Sequence, residues 1–248
     1  KGVYIMGTIN ICVNHETKKY SLKAGDSGII LENIAKKIDS KYNGYITLAN
    51  IDNKLRELSY EIKKDCNIKF LDTTNADGSR VYFRTMSFVF IMACNEIFNE
   101  PKVTIEHSLS KGLYCEVHIN RKLKEIDIEN IKNKMNDIIK KNYKIEKIST
   151  TKSAAIKIFE DYGMHEKSEL LSYKEYDDVK IYKCNNSINH FYGHMLPSTG
   201  YIKVFDLKQY KNGVILLGPS EFDKTEVTRY EPQPKLANIY KEAEEWAN

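Results

Sequence analysis

No stretch of these 248 residues holds an uninterrupted apolar run of about 18 residues, so the sequence has no segment suited to a membrane-spanning helix. The five cysteines, Cys12, Cys66, Cys94, Cys115 and Cys184, are odd in number, widely spaced and form no CxxC. That excludes a disulfide framework and a thiolate zinc knuckle, and it predicts small buried apolar residues in a reducing, cytoplasmic setting. An excess of one charge is also missing. The 38 Lys and Arg face 34 Asp and Glu, and a net +4 is too small to mark a nucleic-acid binder without a local patch. Glycines are scattered singly, so neither GxxxxGK(S/T) nor GxGxxG occurs, and GxSxG and HExxH are absent as well. The usual signatures of phosphate-loop transfer, nucleophile-elbow hydrolysis and zincin chemistry are therefore not in this chain. The first residues carry no basic-then-apolar leader pattern. What remains is a globular composition, 42% hydrophobic and 29% charged, long enough for one large domain or two ordinary ones.

Periodicity divides the chain. Ile9, Ile11 and Val13 alternate with polar residues, Asn14 to Thr17 is turn-like, and Tyr20 and Leu22 resume the alternation, which predicts a hairpin. Gly25-Asp26-Ser27 offers a helix start, and Ile30, Leu31, Ile34, Ala35 and Ile38 recur at helical spacing. Strands are predicted at Ile46 to Leu48 and Cys66 to Phe70. Asn75-Ala76-Asp77-Gly78 reads as a turn or hinge. Thr85 to Phe98 is apolar enough for a helix buried on most sides. A strand follows at Leu113 to Ile119, then helices through Ile128 to Ile139 and Thr151 to Tyr162, and strands at Val179–Cys184, Tyr201–Leu207 and Val214–Leu217. Pro232-Gln233-Pro234 predicts a stiff extended linker, and Leu236, Ile239, Tyr240, Ala243 and Trp246 form the stripe of a last amphipathic helix. The fold class is α+β, a small module over residues 6–74, a larger one over 75–225, and a linker with a helix over 226–248.

Two segments invite a chemical reading. His190 and His194, with Cys184 upstream, could supply metal ligands, but Gly193 and Pro197 indicate a loop, where two histidines four apart need not share a face. The plainer reading is a pair of loop histidines with hydrogen-bonding partners. Lysines between Lys111 and Lys147, with Tyr114 and Tyr143 among them, could form an RNA-binding face. Glu125, Asp127, Glu129, Asp137 and Glu146 are interleaved with them, which favours an ordinary solvated surface.

Further residues carry a resemblance. Ala24-Gly25-Asp26 before the first helix, Ile51 to Leu55 and Ala76-Asp77-Gly78 make the first module similar to a TGS domain of the β-grasp class. Lys102 to Ile105, Lys111 to Tyr114 and Leu196 to Phe205 make the second resemble the editing-type domain that follows TGS in threonyl-tRNA synthetase. Such domains carry an HxxxH on the long helix and a CxxxH before the Pro-Ser-Thr-Gly block, and the resemblance implies that these supply the catalytic and metal-type ligands. On this sequence those positions are Arg84 and Phe88, and Phe191 and Met195. None of the four is a good ligand, so the inherited hydrolytic site is expected to be dead, with no catalytic residue and no metal. The surrounding cleft is expected to be formed by Arg84, Tyr114, His190 and His194.

The degenerate Phe-Tyr-Gly-His-Met run, with Pro232 to Lys235 and Glu244-Glu245-Trp246, also resembles the N-terminal half of a clostridial type of uridine kinase-like nucleoside kinase. That resemblance implies a C-terminal kinase domain of the same polypeptide, using ATP and magnesium, with this chain as its binding or regulatory region. It carries no cofactor of its own and takes a nucleoside, another small ligand or RNA. A hydrolase of the editing type and an RNA-binding module are the alternatives.

Overall fold

The computed structural model describes residues 5–13, 16–23, 27–175 and 177–232. The turn at Asn14-His15, residues 24–26 and the helix expected around Trp246 lie outside them. Alternation builds the first hairpin. Ile9 and Ile11 are buried along β1 (Ile5–Val13), which pairs antiparallel with β2 (Glu16–Lys23). The helix expected from Ser27 starts later, because β3 (Ile29–Ile30) intervenes before α1 (Leu31–Ile38). The first helical amides explain this placement. Leu31 and Glu32 donate to the carbonyl oxygens of Tyr60 and Leu58 at 2.9 and 2.8 Å, contacts that do the work of a side-chain cap. Leu31, Ile34 and Ala35, at helical spacing, form the buried face of α1.

The remaining strands are β4 (Ile46–Ile51), β5 (Lys54–Glu57), β6 (Glu61–Ile62), which pairs with β3, and β7 (Cys66–Asp72). The sheet order is β2-β1-β7-β4-β5, with β1 and β7 parallel, a β-grasp arrangement under α1. A register shift between Ile46 and Leu48 then divides the side chains of β4. Ala49 and Ile51 pack with the core under α1, whereas Leu48 joins Leu71 in the core of the second module. The sheet is thus covered on both faces.

The Asn75 to Gly78 stretch is the first turn of a helix rather than a hinge. Asn75 accepts the Asp77 N–H at 3.0 Å and opens α2 (Ala76–Ile97) well before the apolar run at Thr85. A Cβ on Gly78 would lie 2.0 Å from the Asp72 carbonyl oxygen, and the Gly78 carbonyl accepts the Thr47 hydroxyl at 2.9 Å. The helix is therefore fastened to the small sheet at its origin.

Beyond it come β8 (Lys102–Leu109), β9 (Gly112–His118), α3 (Glu125–Lys141), β10 (Ile145–Thr151), α4 (Lys152–Asp161), α5 (His165–Ser172), β11 (Asp178–Cys184), β12 (Ser187–His190), β13 (Asp206–Tyr210) and β14 (Gly213–Leu217). They form a four-stranded sheet, β13-β14-β9-β8, and a three-stranded sheet, β10-β11-β12, so the whole is α+β. Phe88, Val89, Phe90 and Met92 of α2 are buried with Ile131, Met135 and Ile138 of α3. The strand expected over Tyr201 to Leu207 begins only at Asp206. The Thr199 hydroxyl donates to the Ile138 carbonyl oxygen at 2.9 Å, and residues Thr199–Tyr201 coil into a 3-10 turn against the end of α3. The segment around Glu166 and Glu169 contains α5, which leaves both glutamates exposed and buries Ser168 and Leu171. Among the described residues no helix is long and apolar enough to cross a membrane.

The two modules meet at Glu57, the last residue of β5 and only 8% exposed. Its Oε1 accepts from the Tyr182 hydroxyl at 2.6 Å, Lys147 Nζ at 3.1 Å and the Met195 amide at 3.2 Å, and His194 Nδ1 lies 3.5 Å away. Burial by itself pushes this carboxyl up, but the contacts of His194, Tyr182 and Lys147 outweigh it and hold the pKa at about 2. A second tie runs from the Tyr201 hydroxyl to Glu32 Oε1 at 2.7 Å, and Lys224 Nζ reaches the carbonyl oxygens of Asp39, Tyr42 and Gly44 at 3.1–3.3 Å.

A folded-state pKa below the ordinary carboxylate value of ~4.3 means that the ionised form of Glu57 stabilises the fold. That contribution is fully present above pH ~5 and is lost as pH falls towards 2. Glu57→Gln is expected to lose about 2 kcal/mol at pH 7 in urea denaturation, and to show a flatter stability curve than the native chain between pH 5 and 2.

Candidate functional site

Arg84, Phe88, Phe191 and Met195, the four positions singled out by the resemblance, converge where α2 meets the loop after β12. Phe88, fully buried on α2, meets Phe191 edge-on with ring centroids 5.3 Å apart. Met195, 2% exposed, places its sulfur 4.0 Å from the Thr85 hydroxyl, and that hydroxyl also accepts the Leu196 amide at 3.0 Å. Arg84, one turn from Phe88, reaches across to donate to the His194 carbonyl oxygen at 2.7 Å. Burial lowers its pKa, yet a guanidinium stays charged. The loop can come this close because residue 193 is glycine. Its φ is +112°, and a Cβ there would lie 2.8 Å from the guanidinium carbon. Apolar packing and one cation therefore fill the places where the resemblance implies ligands.

The loop from Phe191 to Met195 separates two open pockets. One, of about 490 Å³, is lined by Arg80, Arg84, Lys111, Phe83, Phe191 and Tyr192. The other, of about 540 Å³, lies on the module boundary against Arg56, Tyr60, Lys144, Lys147, His194 and Glu57. Both combine cations with rings. Arg56 sits 5.0 Å over the Tyr60 ring, and Lys174 sits 5.7 Å over Tyr192, which is 62% exposed.

Of the cleft residues named from sequence, Arg84 lines the first pocket. His194 contributes its carbonyl oxygen to Arg84 and turns its ring towards Glu57 and the second pocket. His190 lies at the end of β12, with Nδ1 2.8 Å from the Lys180 carbonyl oxygen and its ring edge-on to Tyr192 at 4.7 Å. Tyr114 is placed elsewhere. It is buried with Leu109, Ile215 and Leu217, since successive strand residues face opposite sides and its neighbours Leu113 and Cys115 are the ones turned towards α2. Cys184 is buried in the main core, and burial raises its thiol pKa to about 12. Among the described residues no three His, Cys, Asp or Glu side chains form a group that could hold a metal.

The lysine-rich segment proves to be laced with ion pairs. Arg121 makes two contacts with Asp127, at 2.6 and 2.8 Å, Lys132 pairs with Asp206, and Lys134 with Glu96. Nothing in the sequence marks Glu57, or its pairing with Lys147, which stands 90 residues away and shares no motif with it.

No family model matches this chain. It is similar to the threonine-tRNA ligase of Caldanaerobacter subterraneus subsp. tengcongensis, 29% identical over 183 residues, which is 73% of this chain and 28% of that protein. The threonine-tRNA ligase of Clostridium kluyveri is 30% identical over 195 residues, 76% of this chain and 31% of that protein, and that of Azoarcus sp. strain BH72 is 27% identical over 188 residues, 75% and 30%. The chain thus spans about 30% of the length of these relatives. It is homologous to the N-terminal region of threonyl-tRNA synthetase.

The packing at Phe88 gives a direct test. Phe88→His restores a family-type side chain but buries an imidazole with no partner beside Phe191. The variant is expected to lose about 2 kcal/mol in urea denaturation and to bind no zinc by elemental analysis.

Proposed function

We propose that the chain is an RNA-binding region related to the editing part of threonyl-tRNA synthetase, and that it holds its ligand without hydrolysing it. The observation that carries this reading is the edge-on contact of Phe88 with Phe191, two rings at positions where the resemblance implies ligands. Hydrolysis of an ester needs a group that activates water or stabilises an oxyanion, and neither ring does either. Arg84 can bind an anion but cannot act as a base at neutral pH.

RNA as the ligand is supported by the names of the relatives, which act with tRNA, and by the chemistry of the two pockets. Cations beside exposed rings suit a single-stranded end, whose phosphates they neutralise and whose bases they stack. The boundary pocket offers Arg56, Lys144 and Tyr60 for this, while Lys147 is engaged with Glu57. A phosphotransferase parent with ATP and magnesium is a finer reading. Its support is confined to the residue pattern at Phe191 to Met195, Pro232 to Lys235 and Glu244 to Trp246, and the relatives support the synthetase-related reading better.

Two measurements test the proposal. Mischarged tRNA is expected to lose its amino acid no faster with the protein than without it. Fluorescence anisotropy with labelled tRNA is expected to give binding that weakens with salt, and Arg56→Ala and Lys144→Ala are each expected to reduce the salt slope by roughly 0.7 to 1. Rapid deacylation, or no binding at low salt, would overturn it.

A further inference from the structure

Arg84 is held at the floor of the first pocket with a neutral partner only. Its one hydrogen bond goes to the His194 carbonyl oxygen, and among the described residues it has no carboxylate in ion-pairing contact. Glu57 acts on it at longer range, but the Oε1 of that carboxylate is already engaged with Tyr182, Lys147 and Met195. A half-buried cation with a single carbonyl for company has lost water without gaining a counter-charge, a cost that an anionic ligand would relieve. The two other cations of this pocket are paired differently. Arg80 meets Asp77 and Lys111 meets Glu221, each at 2.6 Å, in pairs more than 40% exposed on both sides. Exposed pairs of this kind are worth little, so either cation can turn to a second anion at low cost.

Apart from Ser79, Ser87 and Ser108, the rest of the lining is apolar or aromatic. Phe191 is anchored edge-on by Phe88, so its position is fixed from behind, and Tyr192 stands exposed between His190 and Lys174. We infer that this pocket is a binding site for a small anion bearing a planar ring, with Arg84 holding the anionic group and Phe191 and Tyr192 receiving the ring. Its volume of about 490 Å³ is within the range of small-molecule pockets. A guanidinium fork suits a phosphate or a carboxylate alike, and both chemistries satisfy the site. The inference rests on the non-hydrolytic reading of this cleft and goes beyond it, because it names a free small molecule rather than the end of an RNA.

Isothermal titration of the whole chain tests it with four probes: adenosine 5′-monophosphate, phenylacetate, adenosine and inorganic phosphate. At least one of the two ring-bearing anions is expected to bind at least tenfold tighter than adenosine or phosphate, and which of them does so identifies the anionic group. Arg84→Gln is expected to weaken that binding tenfold or more. Should that variant unfold by circular dichroism, Tyr192→Ala and Lys111→Met, both changes of exposed side chains, are expected to weaken it at least threefold. The inference is overturned if neither ring-bearing anion binds at millimolar concentration, if adenosine or phosphate binds as tightly as the tighter of the two, or if a folded Arg84→Gln binds that anion unchanged. A tRNA titration of the same sample separates the two readings, since loss of RNA binding alone counts against the RNA proposal and loss of small-anion binding alone counts against this one.

Discussion

Glu57 is a carboxylate that its own sheet does not satisfy. It ends an edge strand of the β-grasp unit, lies almost out of water, and takes its partners from β10, β11 and the loop after β12 of the other module. An ionised carboxylate in such a place is tolerable only where several donors converge on it. The two modules therefore have one favourable way to sit together, and the bonds of Tyr201 to Glu32 and of Lys224 to three carbonyl oxygens lie elsewhere along the same boundary. Because one donor is the Met195 amide, the packing of the modules also fixes the loop that forms one wall of both pockets. Tyr182 reinforces this link, since its hydroxyl stands 2.6 Å from Glu57 and from the Gly193 carbonyl oxygen and can donate its one proton to either.

With the loop fixed from the boundary side, α2 can press against its other side. Gly193 admits the Arg84 guanidinium, Phe88 seats Phe191, and Thr85 accepts the Leu196 amide. Each contact fills space that a ligand set and its water would need, and none of them supplies a proton acceptor. The cleft keeps a cation and aromatic surface, which are means of binding. The proposed reading, binding without hydrolysis, rests on these same side chains.

How much of this could be read in advance depended on distance along the chain. Ile9 and Ile11, Leu31 with Ile34 and Ala35, and Ile131 with Met135 and Ile138 declare their elements because period and burial are local. The ends of elements were harder. Asn75 to Gly78 looked like a hinge because the same residues serve turns and helix caps, and only the approach of Gly78 to Asp72 distinguishes the two. The stretch from Tyr201 reads as a strand because the anchor that coils Thr199 to Tyr201, the Ile138 carbonyl oxygen, is 61 residues from Thr199. Arg84, Phe88, Phe191 and Met195 could be named together because a family pattern links them. Tyr114, expected in the cleft with Arg84, His190 and His194, is turned away from it by the alternation of β9. Glu57 had no signal of any kind, since one glutamate in a strand with Lys54 and Arg56 looks like surface until the partner strands are in place.

The account stands or falls on whether Glu57 holds the loop. Amide hydrogen exchange at Met195 and Leu196, compared between the native chain and a folded Glu57→Gln variant, measures this most directly. The account predicts strong protection of both amides in the native chain and a marked loss in the variant that reaches the Phe191 to Met195 loop while the amides of α3 stay protected. Unchanged protection at Met195 and Leu196 in the variant would contradict it.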